Sequence, residues 1–242
     1  MNNLFGNAAS ELAGSEKEKD VLGGRSLLPT GLYEGTLDVA YLTKSTGGAT
    51  AFNFVVDIGG KKVRDTIYVT NRAGGVTYTK DGKKFPLPGY SLVNALCKLT
   101  AGKEIPQLDF EKKLVKVYNF EQRKEVPTEV DVAVELVGQS VKIGIELHRE
   151  NKNAKDQAGN YVPTAEIREF NTITRVFHVK TGQTAAEYNA QAPAEFMALW
   201  VKEFDGKVID KTAKGPVAPA PAAAASGAAT PAAGKPSLFG GG

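Results

Sequence analysis

The sequence predicts a mainly β fold, and three observations predict it. Apolar and polar residues alternate with period two in three consecutive segments. Glycine-containing turns separate those segments. One helical pattern then divides them from two further strands.

In residues 32–44, Tyr33, Leu37, Val39 and Tyr41 alternate with Glu34, Thr36 and Asp38, as in a half-buried strand. After Thr46-Gly47-Gly48 the pattern resumes with Phe52, Phe54, Val56 and Ile58. Asp57-Ile58-Gly59-Gly60 supplies a hairpin turn. The third strand turns Val63, Ile67 and Val69 inward and leaves Lys62, Arg64, Thr66 and Tyr68 on the other face. Residues 71–89 are rich in glycine and lysine, with Asp81-Gly82 as a hairpin tip. Residues 90–100 read as a helix, with Leu92, Val93, Leu96 and Leu99 on one face and Gly102 as its stop.

Residues 103–131 are charged and irregular in pattern, with a strand at 114–120. Val141, Ile143, Ile145 and Leu147 form the next strand, and residues 149–162 a polar loop. A long strand at 167–180 and a short helix at 193–204, carrying Phe196, Leu199, Trp200 and Phe204, complete the pattern. Three strands, a helix and two strands is the order of an OB-fold-like five-stranded Greek-key barrel, here with inserted loops and a short C-terminal helix. A generic β-sandwich fits the same pattern, and periodicity alone does not separate the two.

Three segments organise the chain: a flexible arm at 1–26, a folded domain at 27–205 and a disordered tail at 206–242. The tail contains GPVAPAPAAAASGAATPAAGKPS, too poor in large apolar residues to offset its ordering entropy. It ends in Leu238-Phe239-Gly240, a triplet that also occurs at Leu4-Phe5-Gly6. No run approaches the roughly 20 apolar residues of a membrane span. The first residues lack the basic-then-apolar order of a secretory leader. With Cys97 as the one cysteine, no intrachain disulfide is possible and a cytoplasmic setting fits. One cysteine and two histidines, His148 and His178, supply no zinc ligand set, and no calcium loop is present; carboxylate-only sites for Mg²⁺ or Ca²⁺ stay open, but no cofactor is expected.

Net charge is +3, and all of that excess falls in residues 206–242. Within the balanced remainder, residues 59–84 are the exception, with seven basic residues against Asp65 and Asp81. Non-specific single-strand binding needs cations that track phosphates and flat side chains that stack on bases. This segment offers Lys62, Arg64, Arg72, Lys80, Lys83 and Lys84, interleaved with Tyr68 and Tyr78. Tyr68 divides evenly between surface and core, while Phe85 and Tyr90, beside the helix, are expected in the core. The loop at 149–161 repeats the theme with Arg149, Lys152, Lys155 and Tyr161, diluted by Glu150 and Asp156, and reads equally as a solvated connection.

Catalytic signatures are missing. Gly75 to Gly82-Lys83 and Gly227 to Gly234-Lys235 have the wrong spacing for a phosphate-binding loop and lack the following Ser or Thr. No nucleophile elbow, HExxH or deaminase pattern occurs. The two histidines sit on expected strands as structural residues. The chain is expected not to be an enzyme.

Several strings resemble the single-stranded DNA-binding proteins of lytic podoviruses of the schitovirus type. They are Tyr68-Val69-Thr70-Asn71, Pro86-Leu87-Pro88-Gly89-Tyr90, Leu96-Cys97, Leu136-Val137-Gly138-Gln139 running into Val141-Lys142-Ile143-Gly144, Gly159-Asn160-Tyr161-Val162, and the closing Ser237-Leu238-Phe239-Gly240. The likeness spans about residues 20–205 and the extreme C-terminus. It implies an OB-type core that coats single-stranded DNA during phage replication and recombination in the cytoplasm of the infected bacterium. It also implies a tail that recruits replication, recombination or transcription proteins. One departure is that many single-strand binders end in an acidic tail, whereas this tail is basic, so Leu238 and Phe239 would carry the docking. Two rivals fit the same composition: a virion structural or assembly protein and a strand-annealing recombination mediator.

Overall fold

The computed structural model describes residues 27–213 apart from 120, 121, 123 and 157–159. The fold is mainly β, and its strands pair antiparallel except at one short edge strand. β1 (Gly31–Lys44), β2 (Thr50–Ile58) and β3 (Lys61–Tyr68) form a meander in which each strand pairs with the next. Phe52, Phe54 and Val56 of β2 and Val63 of β3 are buried, while Lys62, Arg64, Thr66 and Tyr68 lie exposed on the opposite face, as their parity requires.

β1 departs from simple alternation. Leu37 is buried in the core, but the pairing with β2 shifts between Leu37 and Val39, and the next core residue is Ala40. This bulge flips the parity, so Val39 and Tyr41 do not join Leu37 in the core. A close backbone approach lies just before it. A Cβ at Gly35 would stand 2.5 Å from the Asp57 carbonyl oxygen, so only glycine fits there. The bend lets β1 pair with one strand along its first half and with another near its end.

β3 leads to a small separate hairpin, β4 (Thr77–Lys80) and β5 (Lys83–Pro86), closed by Asp81-Gly82. Both turn residues have positive φ, 52° and 72°, as a type I′ turn demands. The helix α1 (Pro88–Ala101) starts on a proline in its first turn and stops at Gly102, whose N–H bonds the Lys98 carbonyl at 3.1 Å. Its Val93, Leu96, Cys97 and Leu99 pack into the core. Burial pushes the Cys97 thiol up to about 12, which leaves it protonated and inert.

Residues 103–131 are more regular than their charge pattern suggests. β6 (Phe110–Asn119) and β7 (Lys124–Ala133) pair along their full length, and β7 joins β1 at Tyr41↔Val132 and Leu42↔Asp131. The charges sit on the hairpin's outside, where Lys112 lies 3.5 Å from Asp131 and 3.7 Å from Glu129. The expected polar loop at 149–162 is likewise mostly strand. β8 (Ser140–Lys155) and β9 (Tyr161–Phe177) pair through it as a long arm. Arg149 meets Glu169 at 2.6 Å there, and Arg168–Glu150 and Lys152–Glu166 are cross-strand pairs. Hydrophilic residues hold strand pairing by charge complementarity rather than by apolar alternation.

Two short helices follow, α2 (Ala185–Ala190) and α3 (Phe196–Phe204). The first is announced by the capping box Thr184-Ala185-Ala186-Glu187, which the periodicity reading passed over. Trp200 of α3 is buried, stacked on Phe204 with ring centroids 5.6 Å apart and edge-on to Phe177. Regular structure continues past 205, where the sequence places the start of the tail. β10 (Val208–Asp210) pairs parallel with β8, and the Lys211 N–H bonds the Arg149 carbonyl at 2.8 Å. Residues 1–26 and 214–242, including Leu4-Phe5-Gly6, Leu238 and Phe239, lie outside the described residues.

The main strand path is β3-β2-β1-β8-β9. Among the described residues no backbone ladder joins β3 to β9, so pairing does not close the sheet into the expected barrel. A side chain spans the seam instead. Asp65 Oδ2 accepts the Ile173 N–H at 2.9 Å, taking a donor that a closing ladder would use, and Oδ1 accepts the Thr66 N–H. Burial raises the Asp65 carboxyl above its ordinary value, against the pull of these two bonds.

Candidate nucleic-acid interface

The outer face of β1–β3 forms the floor of a groove. Register places Tyr41 opposite Asn53, Asn53 opposite Thr66, and Val55 opposite Arg64. A polar row crosses it: Asn53 Nδ2 donates to Thr43 Oγ1, and Thr66 Oγ1 donates to Asn53 Oδ1, each at 2.8 Å. The β6–β7 hairpin forms the opposite wall with Val115, Val117 and Tyr118, enclosing about 1060 Å³. Tyr68, 53% exposed, lines one part of the groove, which resolves its position in favour of the surface.

Charge in this groove is partly offset. Lys44, Lys62, Arg64 and Lys116 line it together with Asp38 and Glu125, while the Asp65 carboxylate is turned to the β3–β9 seam. Lys62 Nζ lies 2.6 Å from Asp38 Oδ2, whose hydrogen bond and charge raise the ammonium above its usual value. Arg64 donates to Glu125, and that bond and charge hold the Glu125 carboxyl below the ordinary carboxylate range. Tyr41 is raised chiefly by burial, with Arg64 opposing and Glu125 adding to the shift. Its hydroxyl therefore stays protonated beside this ion pair.

A second group lies on the β4–β5 hairpin, a finger that springs from the same end of the sheet. A Cβ at Gly89, at the start of α1, would stand 2.2 Å from the Tyr68 carbonyl, so the finger's base abuts Tyr68. Tyr78 pairs with Phe85 and Lys80 with Lys83, which puts all four on one face; Lys84 lies on the other. The two rings contact at 5.8 Å between centroids and are 41% and 40% exposed. The sequence puts Phe85 in the core; the structure places it on the surface, because among the described residues β5 pairs with β4 alone and both strands are exposed throughout. Tyr90 does pack against the core, as expected. Arg72, between groove and finger, lies against Gly47 of the β1–β2 turn. Among the described residues Arg72, Lys80, Lys83 and Lys84 have no ion pair.

The remaining candidates lie elsewhere. Arg149 and Lys152 are on the β8–β9 arm, each paired with a glutamate, and Lys155 sits 5.5 Å from the ring centre of Tyr161, which is 70% exposed. None of these four lines the groove. The histidines have local partners: His148 bonds Glu146 and stacks on Phe170, and His178 meets Thr181. Another hollow, about 830 Å³, lies over the β3–β9 seam, but Arg175 is the one cation among its lining residues. It is the poorer place for a phosphate chain.

Sequence reading missed Tyr41, Asn53, Lys116, Tyr118 and both competing carboxylates. The bulge hid Tyr41, since an unbroken alternation assigns it to the core. For the β6–β7 residues the available signal was the alternation of Val115 and Val117 with Lys116 and Tyr118. No protein-family model matches this chain, nor does any curated protein sequence. Among the described residues no helix is long and apolar enough to cross a membrane.

Proposed function

We propose that this protein binds single-stranded DNA without sequence preference and protects it during phage DNA replication and recombination. It acts as a binding protein and not as an enzyme, in the cytoplasm of the infected host. The observation that carries the reading is the groove, where Tyr41 and Tyr68 share one sheet face with Lys62 and Arg64. Stacking tolerates any base because each has a π-face, and lysine and arginine contacts to phosphates carry no sequence information. The strand would leave the groove past Tyr68 and Arg72 and continue along the finger, onto Tyr78, Phe85, Lys80, Lys83 and Lys84.

The architecture supports an OB-type assignment. The path β3-β2-β1-β8-β9, with α1 after the third strand, has the OB order, and OB folds bind oligonucleotides on the face of strands 2 and 3. In this reading β6–β7 is an insertion, and the β3–β9 seam is the barrel's open side. The strings that resemble phage single-strand binders support it too, because two of them, 68–71 and 86–90, border the finger. Leu238 and Phe239 would dock replication, recombination or transcription proteins. Deleting residues 236–242 should leave DNA affinity intact and abolish a partner pull-down; an unchanged partner list rejects that role.

The deciding experiment titrates a fluorescent dT oligonucleotide and its duplex with the protein at two salt concentrations. Binding to the single strand that weakens steeply with salt, with little duplex binding, is the expected result. No single-strand binding at low salt removes the reading. Salt-insensitive self-association in its place would favour a virion structural protein.

A further inference from the structure

The two cations at the centre of the groove are already engaged. Arg64 donates to Glu125, which lies 61 residues away and sits opposite Tyr118 near the far end of the β6–β7 hairpin. Lys62, on the same face of β3, donates to Asp38. A guanidinium offers one planar set of donors, and a carboxylate and a phosphate both match it, so they compete for the same atoms.

We infer that Glu125 occupies on Arg64 the place that a backbone phosphate takes, so that a single strand loads the groove by exchanging carboxylate for phosphate. The inference rests on the groove being the nucleic-acid site. Glu125 is then a selectivity residue. A single anion must displace it by charge alone, whereas a polynucleotide adds stacking on Tyr41 and Tyr68 and further phosphates. The same exchange releases the hairpin. β7 is tied to β1 at Tyr41↔Val132 and Leu42↔Asp131, near its base, while the Arg64–Glu125 pair ties its far end to β3.

A double-mutant cycle tests this on the full chain, with E125Q, R64Q and the double variant titrated with a fluorescent dT oligonucleotide at fixed salt. E125Q should tighten binding about two- to fivefold, the range of an exposed ion pair, and R64Q should weaken it. In the R64Q background E125Q should change nothing, because no guanidinium remains to be released. Equal gains in both backgrounds would mean that Glu125 repels DNA only through its charge, and would overturn the inference; no gain in either background overturns it as well. If the wild-type protein binds no dT, the single-strand reading and the exchange fall together. Wild-type binding with an uncoupled cycle removes the exchange alone. On the free protein, amides near the far end of β6–β7 should exchange hydrogen faster in E125Q, and unchanged exchange overturns the tie. Trp200 fluorescence verifies that each variant is folded.

Discussion

Two hairpins of similar composition project from this molecule, the β4–β5 finger and the β8–β9 arm, and each carries tyrosine, lysine and carboxylate residues. In the finger the register sets Lys80 opposite Lys83 and Tyr78 opposite Phe85, so cations face cations and rings face rings. In the arm the register sets Arg149 opposite Glu169 and Glu150 opposite Arg168. Among the described residues the finger's lysines therefore have no carboxylate partner, which leaves their charge available to the polyanion proposed above. The arm spends its charge on its own pairing. Like charges directly opposite each other destabilise a hairpin, so the finger bears a folding cost that a bound phosphate chain would relieve. The groove lies between these extremes, with cations that are present but held by carboxylates.

Three measurements test the difference between finger and arm. The largest effect is expected from replacing Lys80, Lys83 and Lys84 together with glutamine. Three lost phosphate contacts should weaken dT binding about a hundredfold at 0.1 M salt and flatten the log–log salt slope by about 2. A slope unchanged from wild type would exclude the finger from the strand's path. Next is Tyr78→Ala, where losing one stacked base costs roughly 1–3 kcal/mol, about tenfold or more in affinity. The loss should be nearly independent of salt; a loss that vanishes at high salt would show that Tyr78 merely positions the lysines. The smallest effect belongs to the arm. Arg149→Gln with Lys152→Gln should change dT affinity less than twofold, because neither cation lines the groove and each is held on the arm by a glutamate across the strand pair. A weakening as large as the finger's would place the arm on the strand's path and erase the distinction.

Part of this arrangement is legible along the chain. The alternation in 52–58 and 62–69 gives the correct faces of β2 and β3, which puts Lys62, Arg64 and Tyr68 together before any fold is known. Asp81-Gly82 marks the finger's tip and Gly102 the end of α1 for local steric reasons. Other features mislead the same reading. Tyr41 changes sides through a bulge that leaves no clear mark in the residue pattern, and Phe85 looks like core because its exposure depends on what fails to cover it. Residues 149–162 look like a loop, and 103–131 show only the strand at 114–120 and not its partner β7, because these strands are held by cross-strand charges.

Local periodicity and backbone sterics are enough to give the faces of β2 and β3, the helix, the turns and the mixing of aromatic with basic residues in 59–90. Which of those cations meet a carboxylate depends on contacts between elements distant along the chain. A charge count along residues 59–84 sets only Asp65 and Asp81 against seven cations, yet folding brings Asp38 from β1 against Lys62 and Glu125 from β7 against Arg64. Ion pairing acts over a few ångströms of space whatever the separation along the chain. Strand register and the return of a distant hairpin therefore set the electrostatics of the groove.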